Sequence, residues 1–171
     1  MTVVDTLTRR LNAYERILTH HTDWVTSVSW SPNGTTLASS SEDRTVCVWS
    51  VPMNKCIRTI DCYMSHDGAR YGVKCVAWSP DGSTLASASH NSVRVWQSTQ
   101  ERPLYRINGH GSWVNDIAWS PSGTTLATAS SDKTVRLWYG EDCIRTLFGH
   151  SAGINSLAWA PRSRPPPATR W

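Results

Sequence analysis

The chain has 171 residues, enough for about one domain, and its 17 Lys plus Arg against 13 Asp plus Glu give a net charge of +4, too mild an excess to mark a nucleic-acid-binding surface. No apolar run approaches the roughly 18 residues of a membrane helix, and residues 1–10 carry charges and no apolar stretch, so neither a membrane span nor a secretory leader is expected. Five cysteines, an odd number without a Cys-x-x-Cys, are expected as reduced thiols in an intracellular protein, cytoplasmic or nuclear, while ten tryptophans against one phenylalanine suggest a structural slot that repeats.

Residues 1–13 form an N-terminal segment. Leu7, Leu11, Tyr14 and Leu18 have helical spacing, which predicts a short helix to about Ala13 and then a strand over 14–18. The first repeat unit, 14–60, contains Trp24-Val-Thr-Ser-Val-Ser-Trp30. Its apolar residues Val25, Val28 and Trp30 break strict alternation, and a β-bulge at Thr26–Ser27 would bring all three to one face. Ser31-Pro-Asn-Gly34 reads as a tight turn, Pro presetting φ and Gly supplying a positive φ. Leu37-Ala-Ser-Ser40, a polar turn, the alternating strand Thr45–Trp49 and a weaker strand Lys55–Ile60 complete the unit.

The second unit, 61–107, repeats this order with Val73, Val76 and Trp78, then Ser79-Pro-Asp-Gly82, Leu85–Ala88, Ser92–Trp96 and Leu104–Ile107. The third, 108–148, does so with Val114, Ile117 and Trp119, then Ser120-Pro-Ser-Gly123, Leu126–Ala129, Thr134–Trp138 and Cys143–Phe148. Residues 149–161 open a fourth with Ile154, Leu157 and Trp159. A Pro/Arg-rich tail, 162–171, then breaks the pattern: three consecutive prolines exclude an interior strand, and no P-x-x-P spacing marks a proline-rich ligand.

The recurring Trp30, Trp78, Trp119 and Trp159 are spaced 48, 41 and 40 residues apart, and His21, His110 and His150 each stand nine residues before the matching tryptophan. Four short antiparallel strands per unit is the pattern of a propeller blade. With Gly109-His110, Gly149-His150, the Leu-Ala-Ser/Thr runs, Asp43 and Asp132 in the turn before the third strand, and Trp49, Trp96 and Trp138 at its end, residues 14–161 resemble the WD-repeat family. The chain departs from that family in three places. Ser50, Gln97 and Tyr139 stand where the naming Asp would follow the tryptophan. In unit two His66 is displaced and Asn91 replaces the turn Asp. In unit one His20 replaces the usual glycine. The expected fold is all-β: a partial WD-repeat propeller of about three and a half four-stranded antiparallel blades, against the roughly four to eight of closed rings.

The resemblance implies buried hydrogen-bonded sets of His21, Ser39, Asp43 and Trp49, and of His110, Thr128, Asp132 and Trp138, with His150 opening a further one. It also implies a partner-binding rim of Trp24, Thr26 and Glu42, of Lys74 and His90 beside Gly72, of Trp113, Asn115 and Ser131, and of Asn155. Trp30, Trp78, Trp119 and Trp159 share the apolar strand face and are expected in the core. Trp24 and Trp113 lie off that face, where an exposed tryptophan among polar groups suits a binding hot spot.

A His, Ser and Asp also suggest a hydrolase triad, but a catalytic set should occur once and this one occurs twice, without a Gly-x-Ser-x-Gly elbow. Among candidate metal ligands, His20, His21, Cys62 and His66 match no zinc-module spacing, so neither metal nor cofactor is expected. The sequence therefore reads as a non-catalytic interaction scaffold for a protein or peptide partner. The alternatives are RNA or DNA association through the arginines of the tail, or a truncated or misjoined form of a longer repeat protein. An open arc would leave apolar blade faces free for self-association, although the half-blades of two copies lack matching middle strands.

Overall fold

The computed structural model describes residues 17–62, 71–97, 99–100 and 102–160. Among these residues are twelve strands in three antiparallel sheets of four, each laid out in chain order. Blade one is β1 (Val25–Trp30), β2 (Thr36–Ser41), β3 (Thr45–Ser50) and β4 (Lys55–Asp61). Blade two is β5 (Cys75–Trp78), β6 (Thr84–Ser89), β7 (Ser92–Gln97) and β8 (Pro103–Asn108). Blade three is β9 (Val114–Trp119), β10 (Leu126–Ser130), β11 (Val135–Tyr139) and β12 (Asp142–Leu147). The expected helix to Ala13 lies outside the described residues. Of the strand expected over 14–18, only Ile17 and Leu18 are described, and they are not in a strand.

The turns form for the reason their residues suggest. Gly34, Gly82 and Gly123 all take positive φ, at 68°, 71° and 74°, and each N–H returns to the carbonyl of the serine that opens its turn. A bulge in β1 falls between Val25 and Ser27, and β9 breaks register at the matching place. Unit two differs. β5 begins only at Cys75 and pairs regularly, so Val73 joins the fold through its backbone N–H, which donates to the Ser41 carbonyl of blade one.

The innermost strands bring neighbouring blades together. Ala38, Val46, Val48 and Ile60 of blade one face Val76, Leu85 and Trp96 of blade two. Ala86, Ala88, Val93, Val95 and Ile107 of blade two face Val114, Ile117, Leu126 and Trp138 of blade three. Blade two is therefore covered on both faces. β7, which alternates in sequence like a half-buried strand, is buried along Ser92–Trp96, and Arg94 is accommodated there by donating to the Cys62 carbonyl at 2.9 Å.

The same junction bonds recur. Val73, Val114 and Ile154 each donate a backbone N–H to the carbonyl of Ser41, His90 and Ser130 in the preceding blade. The indoles of Trp119 and Trp159 donate to the carbonyls of Ala77 and Ala118 at 3.3 and 2.9 Å. Residues 153–160 are thus seated against blade three at the position of a first strand, although they form no ladder. No described blade precedes blade one, and the expectation of a core Trp30 fails there: Trp30 is 55% exposed and Val28 59%, whereas the equivalent Ile117 is 4% exposed.

Candidate functional site

The structure assembles the two complete polar sets as relays. In blade one His21 Nδ1 lies 2.8 Å from Asp43 Oδ2, His21 Nε2 lies 2.7 Å from Ser39 Oγ, and Trp49 Nε1 donates to the same Oγ at 2.7 Å. Asp43, a carboxylate, accepts from His21 Nδ1, and the Ser39 oxygen, which accepts from the indole, bonds the other imidazole nitrogen, so every member of the set has a partner. In blade three the distances are 2.7 Å for His110–Asp132, 2.6 Å for His110–Thr128 and 2.9 Å for Trp138–Thr128.

Burial works to raise both carboxyls, but the bonds they accept outweigh it. Asp43 accepts from the Thr45 hydroxyl, the backbone N–H groups of Thr22 and Thr45, and His21. Asp132 accepts from the Thr134 hydroxyl, His110, and the N–H groups of Gly111 and Thr134. Both stay well below the usual carboxylate range. Burial pushes His110 down, against the pull of Asp132. In each relay the serine or threonine hydroxyl is buried and accepts from the indole of its own blade, so the set ties β2 or β10 to the strand beside it.

Among the described residues, blade two shows no such relay. Trp96 Nε1 still donates to Ser87 Oγ at 2.8 Å, and the thiol of Cys62 stands 3.8 Å from that hydroxyl. Burial pushes the Cys62 thiol up to about 11. His66 lies outside the described residues. His150 is exposed, ahead of the segment where a further set would be completed.

The rim residues divide by what the next blade brings to them. Glu42, His90 and Ser131 each meet a residue that leads into the inner edge of the next unit. Glu42 lies over Gly72, where a Cβ would come within 2.7 Å of the Glu42 Cα. The Ser131 Cα would lie 3.0 Å from a Cβ on Gly153. Between these junctions His90, with φ of 53°, meets Trp113 edge to face at 5.2 Å. Tyr71 stacks on His90 at 4.2 Å and meets Trp113 at 5.3 Å, closing a three-ring cluster. Tyr71 is absent from the rim expected from sequence, because its counterparts Asp23 and Ser112, whose carbonyls accept the same serine hydroxyl bond, carry no aromatic ring.

Thr26 and Asn115, expected on the rim, are half-buried bridges between blades. Thr26 Oγ1 donates to the Val73 carbonyl at 2.5 Å, and Asn115 Nδ2 donates to the Ile154 carbonyl at 2.9 Å and to Ser131 Oγ. Glu42, Lys74, Ser131 and Asn155 are exposed. Trp113 is 37% exposed, held by its ring contacts. Trp24 immediately precedes β1, with no described blade against it, and is 82% exposed.

Of the four residues considered for a metal, His20 and His21 are near each other, but both His21 nitrogens are engaged in the relay and Cys62 belongs to blade two. The structure gathers a different set, His20, Cys47 and Cys56. No helix among the described residues is long and apolar enough to cross a membrane.

Over 41 residues the chain is 51% identical to proteins named ribosome biogenesis protein BOP1 homolog from Drosophila virilis, Drosophila erecta and Drosophila melanogaster. That stretch covers 24% of this chain and 5% of each relative. The model of the WD domain, G-beta repeat family matches residues 13–50, 54–97, 101–139 and 141–164. Each of the twelve described strands falls within a matched stretch, and the chain belongs to the WD domain, G-beta repeat family.

Proposed function

We propose that the chain is a non-catalytic interaction module whose rim, from Trp24 across to the Tyr71–His90–Trp113 cluster, receives a protein or peptide partner. The observation that carries this reading is the presentation of large aromatic side chains at one end of the inner strands: Trp24 is 82% exposed, and Trp113 is fixed by two ring contacts. A pre-organised aromatic surface gives contact area at little entropic cost, which is what binding hot spots need. Glu42 and Lys74 supply exposed charges of both signs beside it. Five free thiols suit a reducing, intracellular setting.

The likeness to BOP1 homologues spans 41 residues, the length of about one repeat, and 5% of those proteins. Ribosome biogenesis is therefore a process in which to look for a partner and does not itself identify one. The arginines of the tail lie outside the described residues, so no geometry favours the nucleic-acid reading.

The test is capture of a displayed peptide library by the wild-type chain and by the Trp24→Ala, Trp113→Ala double variant. Loss of the selected binders with unchanged far-ultraviolet circular dichroism is expected. Undiminished capture, or loss of the fold, would sink the reading.

A further inference from the structure

We propose that His20, Cys47 and Cys56 form a binding site for one thiophilic d10 cation of the Zn2+ class. The three residues reach the site from separate parts of blade one: Cys47 from β3, Cys56 from β4, and His20 from the segment that precedes β1. One ligand atom from each, an imidazole nitrogen and two Sγ atoms, lies within 4.8 Å of the other two. Two sulfurs and an imidazole form a donor set that suits Zn2+, whose bonds of roughly 2.3 Å to sulfur and 2.0–2.1 Å to nitrogen need only a small closing of these side chains.

Cys47 is buried, Cys56 half-buried and His20 exposed, so the site has a dry base and a mouth open to solvent. The mouth gives onto a groove of about 540 Å³ lined by Trp49, Cys56 and Thr59 among others, which leaves room for water as a fourth ligand. The Thr59 hydroxyl lies 3.0 Å from His20 Nε2 and 3.6 Å from Cys56 Sγ, as an outer partner that orients both.

Comparison among the blades separates this cluster from the repeat's own architecture. His20 stands where blade three and the fourth unit have Gly109 and Gly149, and Cys47 stands where blades two and three have Arg94 and Arg136. Cys56 faces Trp49 as Pro103 faces Trp96 and Cys143 faces Trp138. In blade three a Cβ on Gly109 would meet Arg136 Nη1 at 3.0 Å and the Trp138 ring at 3.1 Å, so the arginine closes that space. In blade one Cys47 leaves the space open, and the imidazole of His20 lies there, edge-on to Trp49 at 6.3 Å. Two departures from the repeat thus occur together in space, beside a third soft donor.

A simple disulfide is the weaker reading of the same sulfurs. Cys47 faces Thr59 and Cys56 faces Trp49 across a register shift, so the two are not direct cross-strand partners, and a disulfide gives His20 no role. Metal binding forms two sulfur–metal bonds and one nitrogen–metal bond and releases both thiol protons to solvent. It clips the segment before β1 to the β3–β4 ladder. The proposal is independent of the rim reading above.

The test uses the full reduced chain with Co2+ and then Zn2+. One equivalent of Co2+ should give a thiolate-to-cobalt charge-transfer band, which Zn2+ bleaches. His20→Gly, the residue blade three carries there, and Cys56→Ser should each weaken Zn2+ by more than the roughly 100-fold that loss of an outer partner can cost. Cys143→Ser should leave affinity unchanged. In the wild-type chain, alkylation followed by mass spectrometry gives a second readout that needs no variant: Zn2+ should protect Cys56 and leave Cys143 reactive. Absence of the thiolate band, unchanged Zn2+ affinity in H20G or C56S, or equal alkylation of Cys56 and Cys143 with Zn2+ present would each overturn the site.

Discussion

Ser39 and Thr128 each hold together a blade's polar interior with one hydroxyl, accepting from the indole and bonding the imidazole. Thr128→Val keeps the shape of the side chain and removes that hydroxyl. It strands the Trp138 N–H and a nitrogen of His110, and a buried unpaired group costs about 1–3 kcal/mol. T128V is therefore expected to lose at least about 2 kcal/mol in urea unfolding, whereas Thr128→Ser, which keeps the hydroxyl, should lose far less. Equal losses would show that the relay contributes no more than packing.

The relays also set the response to acid. His110 is held below its ordinary value of 6.5, and Asp43 and Asp132 below 3.8. For each group the unfolded chain takes up its proton at a higher pH than the folded one. Stability is thus full above 6.5, falls as pH drops through the lowered value of His110, and falls again below 3.8 as the carboxylates protonate. Urea midpoints measured down the pH scale check this, and Asp132→Asn should shrink the lower step. A midpoint that rises on acidification would contradict the assignment of a neutral, buried His110.

At the scale of the strand, position matters more than residue type. Val28 and Ile117 occupy the same place in β1 and β9, yet one is exposed and the other buried between blades. Ile117→Ala should cost about 2–5 kcal/mol, while Val28→Ala should stay within about 0.5 kcal/mol. Thermal melts of the two variants give the comparison, and similar losses would mean that β1 is covered in solution.

Much of the blade was legible in the residues. Ser-Pro-x-Gly specified the turn, the Val25/Val28/Trp30 spacing gave the bulge, and the resemblance to the WD-repeat family implied the relays. What lay between blades was harder to read. Thr26 and Asn115 look like rim residues from their offsets, because no local pattern shows that the next blade brings a carbonyl to them. The register shifts ahead of Trp49, Trp96 and Trp138 also left no mark in the alternation of their strands. Cys47 and Cys56 are nine residues apart along the chain, and only the β3–β4 pairing brings them to His20.

Over the whole molecule, the exposed face of Val25, Val28 and Trp30 has the composition of the buried faces of blades two and three. Contiguous apolar surface of this kind drives association or aggregation. The isolated chain should therefore show a mass in light scattering that rises with concentration, with a second copy's blade face as the cover. Val28→Asp should suppress that rise without lowering Tm. A concentration-independent monomeric mass in the wild-type chain would dismiss self-association through this face.

Several of the bonds that join successive blades end on backbone carbonyls, Trp119 on Ala77, Trp159 on Ala118, Val114 on His90 and Ile154 on Ser130, beside others that end on the side chains of Ser29 and Asp116. A carbonyl is the same whatever side chain its residue carries. At these carbonyl joints each blade meets the one before it through a group that every residue carries. A gene encoding such blades can gain or lose whole units, or exchange one for another by unequal crossing-over, and the new neighbours will still find their acceptors. The side chains that do differ from blade to blade, such as His20, Cys47 and Tyr71, are then free to vary without putting the joints at risk.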